Sequence, residues 1–353
     1  VSRTIYGDEI TGEDGAYSFP ILWLPDDKVF IASPQCRQDF NKGTFGVPST
    51  ADHHNWAGSF IKEEGAIQWG SEPTADFYSI YPQRDGDFKV STYGEFTKNN
   101  ATFLLNLTEN QTCMVAAQEV TTENPYGSPK MTTADMYACF MYAKTPNVAN
   151  GTSPVKLGYK PLSTAIRFKL RGPAADQSTV TVSRIRLIGP SGAALSGKFH
   201  LKFDDENPNP VVTPVSGETS NIVTIYARYE NEAYLQLSTG QEIELNAFII
   251  PVSGQKIDQN WKLEVTLSGG TVVTKTLKPT TATENQTTLV AGMIHRLGNM
   301  PQLPLDPLDP AKWMEFIPRN VYLSEISIPG SWNTLEPSAQ NIVSGSTQTQ
   351  KGI

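Results

Sequence analysis

The chain holds three cysteines and four histidines among 353 residues. Cys36, Cys113 and Cys139 can close at most one disulfide, and their spacings match no metal motif. They read as small buried hydrophobes. Asp52-His53-His54 is the one paired-histidine feature. Neighbouring side chains point to opposite sides of an extended chain, so this pair reads as an exposed loop and not as a metal site. His200 and His295 lie in or beside strand-like sequence and read as structural. No run of about 18 apolar residues occurs, which excludes a membrane-spanning helix. Charged residues are only 18%, with a net charge of −8; that balance argues against nucleic acid or an anionic membrane surface as partner. No GxSxG elbow and no phosphate-binding glycine loop is present. Gly269-Gly270 reads instead as a hairpin turn between Leu267 and Val272. Catalytic, cofactor and metal residues are therefore not expected. A leader is also missing: the chain opens on Val1-Ser2-Arg3-Thr4, which reads as a processed form whose targeting segment has been removed.

What is abundant is turn and strand chemistry. The chain carries 25 Pro and 27 Gly, and 39% of its residues are apolar, enough for true cores in a loop-rich, all-β protein. Gly158–Leu170 and Val182–Phe199 are alternating runs closed by Gly, Pro or Ser. In the first, Leu162, Ala165 (or Ile166), Phe168 and Leu170 can share one sheet face, with Arg167 and Lys169 on the other. This period of two marks half-buried antiparallel strands.

The organisation expected is two tandem antiparallel β-sandwiches, residues 1–152 and 153–300. In the first, Ile21–Leu24 and Lys28–Ala32 flank a Pro25-Asp26-Asp27 turn. Phe77–Pro82 is an aromatic strand ended by proline, followed by strands at Phe103–Leu107 and Met114–Ala117. Ala134–Ala143 fits a strand or a short helix, and Asn41–Gly58 reads as an exposed loop. Pro146–Pro154 has the small, polar composition of a link. The second unit holds strands at Ala165–Leu170, Thr179–Leu187, Lys198–Phe203, Asn221–Ala227, Ala233–Leu237, Glu244–Pro251, Trp261–Thr266 and Thr271–Leu277, closing at His295–Leu297. That succession of short strands is the pattern of a sandwich. Residues 301–310 hold four prolines and read as a stiff linker. Residues 311–353 are apolar enough to need a partner surface and read as the start of a truncated third domain.

Aromatic residues in loops, Trp56 and Trp69 first, then Tyr93 and Tyr126, are candidates for stacking on sugar rings; packing at the sandwich rim is the competing role. Asn-x-Ser/Thr sequons begin at Asn100, Asn106, Asn110, Asn150 and Asn285, as expected by chance in a chain rich in Asn and Thr.

Several segments, in order, resemble the fimbrillin family of Gram-negative gut and oral bacteria. They are Arg3–Asp8 with Pro20–Ile31, Tyr78–Pro82 (the family's YAIYP element), Lys160–Leu170, Leu195–Phe199, Ala247–Pro251 and Ala291–Leu297. The resemblance covers about residues 3–300. It implies two transthyretin-like sandwiches, export through the outer membrane as a lipoprotein precursor, and assembly into pili at the cell surface. In that family an Arg-specific protease removes a leading strand, and the opened groove accepts a strand from the next subunit. This makes Arg3 a candidate processing site, the groove vacated near Thr4–Ile10 a candidate acceptor, and other pilus subunits the expected partners. Surface glycans or host and bacterial proteins are further partners for an adhesin. The expected role is a non-enzymatic tip or accessory subunit, because a bulky terminal domain suits a filament end. The alternative is a surface carbohydrate-binding or phospholipase-C-like lipoprotein. Leu323–Thr334 is similar to the opening of phosphatidylinositol-specific phospholipase C X domains, which read IPGTHDS there. The catalytic His of that motif falls on Trp332 and its Asp on Asn333. An indole cannot shuttle a proton as imidazole does, so lipase chemistry is not expected at that site.

Overall fold

A computed structural model describes residues 5–6, 10–11, 17–18, 21–48, 59–116, 130–174, 179–204, 209–229, 231–277, 288–297 and 303–304. The chain divides into two units: Val1–Thr266 with Val273–Pro304, and Leu267–Val272 with Leu305–Ile353. In the second, the described residues form a turn in which Gly270 N–H donates to Leu267 O at 3.0 Å and Leu267 N–H donates to Thr271 O at 2.8 Å. Gly270 takes φ +96°, which only glycine adopts without strain. The rest of 305–353, including Trp332 and Asn333, lies outside the described residues.

The first unit is all-β, a sandwich of several antiparallel sheets. In spatial order, the six-stranded sheet runs Lys160–Pro161, Met141–Ala149, Thr74–Tyr81, Lys28–Ala32, Asn41–Gly46, Ile61–Ile67. A four-stranded sheet runs Val211–Ser220, Ser196–Phe203, Ala101–Leu107, Ser91–Thr92. The largest sheet runs Lys130–Thr133, Asn110–Ala116, Ile222–Tyr229, Thr179–Ile188, Trp261–Leu267, Val272–Leu277, with Leu235–Ser238 also on Thr179–Ile188. Glu242–Ile249, Thr164–Arg171 and Ile294–Arg296 form a three-stranded sheet, its last pairing parallel. Among the described residues, pairing runs across residue 152 in three places. Lys160–Pro161 lies against Met141–Ala149. The other two join longer strands: Ala101–Leu107 lies against Ser196–Phe203, and Asn110–Ala116 lies parallel to Ile222–Tyr229.

The aromatic strand Thr74–Tyr81, within the six-stranded sheet, is buried on both faces. Tyr78 and Ile80 enter a core shared with Phe30, Phe103, Phe199, Phe203 and Phe248. Phe77 and Tyr81 enter a second core with Trp23, Val29, Ile31 and Met141. Burying one such side chain contributes about 1.5–3 kcal/mol, and alternation between two cores lets the adjacent Phe77 and Tyr78 both be buried. Edge-on packing adds specificity: Trp23 meets Tyr81 at 5.3 Å and an interplanar angle of 89°. The buried Ser79 hydroxyl of this strand is bonded on both sides. Ser79 Oγ–H donates to Phe30 O at 3.0 Å, and the Ser79 and Tyr159 hydroxyls lie 2.5 Å apart.

Several segments differ from expectation. Asn41–Gly46 is a strand and not part of a loop. Its glycine is required: a Cβ on Gly43 would lie 2.6 Å from Glu64 O, and the facing Gly65 has φ +73°. The composition that reads as loop is that of two strands closing at a bulge. The stretch from Pro146 continues a strand to Ala149, with a register shift between Thr145 and Val148 that accommodates Pro146. Ala134–Ala143 is a short 3-10 turn at Met136–Ala138, then a strand from Met141. Arg167 does not face solvent: it is buried, its Nε donates to Asn246 Oδ1 at 2.9 Å, and Glu244 lies 3.8 Å away.

Candidate strand-acceptor groove

A sheet edge is a row of main-chain donors and acceptors, and three edges here are treated differently. The Ile61–Ile67 edge carries Lys62, Glu63 and Glu64, all exposed. Lys28 pairs with Glu63 at 2.5 Å and Lys89 with Glu64 at 3.0 Å. Charge and the bulge at Glu63, where the register shifts between Thr44 and Phe45, blunt this edge. Along Glu242–Ile249, the side not paired to Thr164–Arg171 is closed by side chains. Gln111 bonds both backbone groups of Phe248, and Cys113 Sγ–H donates to Asn246 O at 3.4 Å.

The Val211–Ser220 strand is paired on one side only, to Ser196–Phe203, among the described strands. At its start opens a groove of 790 Å³. The walls are Val211 and Val212, Pro161 of the strand at the edge of the six-stranded sheet, Val252, Leu289 and Val290. Val211 and Val290, both lining it, are each 46% exposed. Large apolar side chains so exposed and so close together mark an interaction surface. Its polar residues include Lys160, Ser253 and Tyr142, whose hydroxyl donates to Asn209 Oδ1 at 3.1 Å; burial pushes that phenol's pKa up, so it stays a donor. An apolar trough beside an unpaired strand suits an extended segment, whose backbone would bond the edge while alternate side chains enter the trough.

Among the described residues no cluster of three or more His, Cys, Asp or Glu could hold a metal. The three cysteines are free and buried. Burial pushes the Cys139 thiol up to about 12 and raises Cys36 as well, which makes both poor nucleophiles at neutral pH.

Of the residues singled out from sequence, Arg3, Trp56, Tyr126 and Asp52-His53-His54 lie outside the described residues. Trp69 is half-buried: it packs against the second core and meets Phe77 edge-on at 5.4 Å. Tyr93 is 49% exposed and stacks on His200. Ile5–Tyr6, within the segment expected to be displaced, pairs with Ile21–Leu22. Hydrolysis after Arg3 would leave that strand joined to the chain. The Val211–Ser220 edge and its groove were not foreseen. Pro210, Pro214 and Gly217 hide the strand, and the signal that remains is the β-branched run Val211-Val212-Thr213.

No family model matches the chain, and no curated protein matches it. Among solved structures it is similar to a candidate cell adhesion protein of Bacteroides uniformis, at 12% identity and TM-score 0.41, over 85% of this chain and 92% of that one. A second candidate cell adhesion protein, from Bacteroides ovatus, gives 14% identity and TM-score 0.37, over 78% of this chain and 86% of that one. The tip fimbrial protein Mfa3 of Porphyromonas gingivalis, with a C-terminal truncation, gives 8% identity and TM-score 0.24, over 74% and 79%. At these TM-scores the likenesses carry no inference about function.

Proposed function

We propose that this chain is a non-enzymatic fimbrial subunit of tip or accessory adhesin type, displayed at the cell surface after export as a lipoprotein precursor and joined to its neighbours by β-strand addition. The observation that carries the reading is the groove beside Val211–Ser220, where an unpaired strand and exposed apolar side chains coincide. The ordered resemblance of the sequence to fimbrillins supports it independently. An extended segment of a second subunit gains main-chain bonds along the edge, and its alternate side chains read the trough. The Glu242–Ile249 edge, closed by Gln111 and Cys113, offers no equivalent.

Light scattering on the purified chain, before and after an Arg-specific protease, tests assembly. Oligomers are expected in one of the two states, and Val211→Lys should abolish them by placing a charge in the trough. A monomer in both states, or oligomers indifferent to Val211→Lys, would count against strand addition here.

A further inference from the structure

The strand Ser196–Phe203 alternates strictly. Phe199, Leu201 and Phe203 are buried in the core, which turns Lys198, His200 and Lys202 to the opposite, solvent face. Thr102 lies opposite Lys202 and Leu104 opposite His200. Tyr93 N–H donates to Thr102 O at 2.8 Å, so Tyr93 joins the same row. Its ring lies on the His200 imidazole, with centroids 4.0 Å apart and planes at 36°. One side of the tyrosine is thus held, yet 49% of the residue stays exposed. His200 Nε2 is buried and has no hydrogen-bond partner among the described residues. Lys198 pairs with Glu218. Lys202 is exposed and forms no ion pair among the described residues.

A ring already stacked on one side has given up rotamer freedom before a ligand arrives, so ordering it costs little on binding. The open side offers a flat apolar surface, which suits the C–H face of a pyranose. Lys202, whose charge no described carboxylate offsets, lies beside His200 and gives this face a site for an anion in a chain of net charge −8.

We propose that the Tyr93–His200 face binds an anionic saccharide, with a sugar ring on Tyr93 and its carboxylate or sulfate at Lys202. This inference rests on the surface-adhesin reading. Val211 is the cross-strand neighbour of Lys202, but the variants here are at Tyr93 and Lys202 and the readout is saccharide binding and not assembly, so the two fail separately. Titration of the whole purified chain, followed by calorimetry and saturation-transfer NMR, tests it with 3′-sialyllactose, a heparin-derived tetrasaccharide, neutral lactose and hexaglutamate. The first two distinguish carboxylate from sulfate as the anion. At least one of them should saturate and bind about tenfold tighter than lactose or hexaglutamate. Tyr93→Ala should weaken it by about tenfold or more, Tyr93→Phe should retain it, and Lys202→Gln should narrow the gap to lactose. The proposal is overturned if neither anionic saccharide saturates, if lactose or hexaglutamate binds as tightly, or if both Tyr93→Ala and Lys202→Gln bind like the wild type.

Discussion

The side-chain amide of Gln111 bonds both backbone groups of Phe248: Nε2–H donates to the carbonyl oxygen at 2.7 Å, and Oε1 accepts from the N–H at 2.8 Å. Gln111 is fully buried. One side chain therefore stands in for a neighbouring strand at the edge of Glu242–Ile249. Gln111→Leu should leave both Phe248 groups buried and unpaired, at a cost of about 1–3 kcal/mol for each. A loss of about 2–4 kcal/mol is expected in urea unfolding; a change below about 0.5 kcal/mol would mean that the amide does not seal this edge.

The thiols of Cys36, Cys113 and Cys139 are free, buried and, for Cys36 and Cys139, raised in pKa by burial. Native protein should therefore resist a soluble disulfide reagent at mildly alkaline pH, and all three thiols should react in denaturant. Rapid reaction of the native protein would show that these sites open far more readily than their packing indicates.

Much of this packing was legible in the sequence. Lys28–Ala32 and Trp261–Leu267 follow from β-branched and aromatic runs with clear turn signals, and both appear where expected. Sequence composition failed where a strand is made of residues that avoid strands. Asn41–Gly46 needs glycine for close approach, and Val211–Ser220 tolerates Pro214 because an edge strand can spare a donor. Arg167 was misplaced because alternation assigns a face but not its neighbour; Asn246 and Glu244 on the adjoining strand make that face habitable for a guanidinium. Tyr93 and Trp69 were indistinguishable as loop aromatics. Only packing separates them, since Phe77 occupies Trp69 and leaves Tyr93 open.

Alkaline pH should destabilise the fold. Burial raises the Tyr159 phenol well above its ordinary value of 10.0 and Cys139 from 9.0 to about 12. Both groups stay protonated in the folded chain while the unfolded chain releases its protons. Their contribution is complete below about pH 9 and declines as pH rises toward the folded-state values. Melting temperature should fall above about pH 9, less steeply in Tyr159→Phe than in the wild type. An equal slope in both proteins would remove Tyr159 as a contributor.

A tip or accessory role predicts where antibody should bind. Immunogold particles on native cells are expected at filament ends; particles distributed along the shafts would assign the chain to the stalk.

Strand addition at Val211–Ser220 is tested most directly by amide hydrogen exchange, read residue by residue in the monomer and in the assembled oligomer. The outward amides of that strand should exchange quickly in the monomer and become protected on assembly, while those of Ile61–Ile67 stay unchanged. Oligomers whose Val211–Ser220 amides exchange as fast as in the monomer would contradict the assignment of this edge.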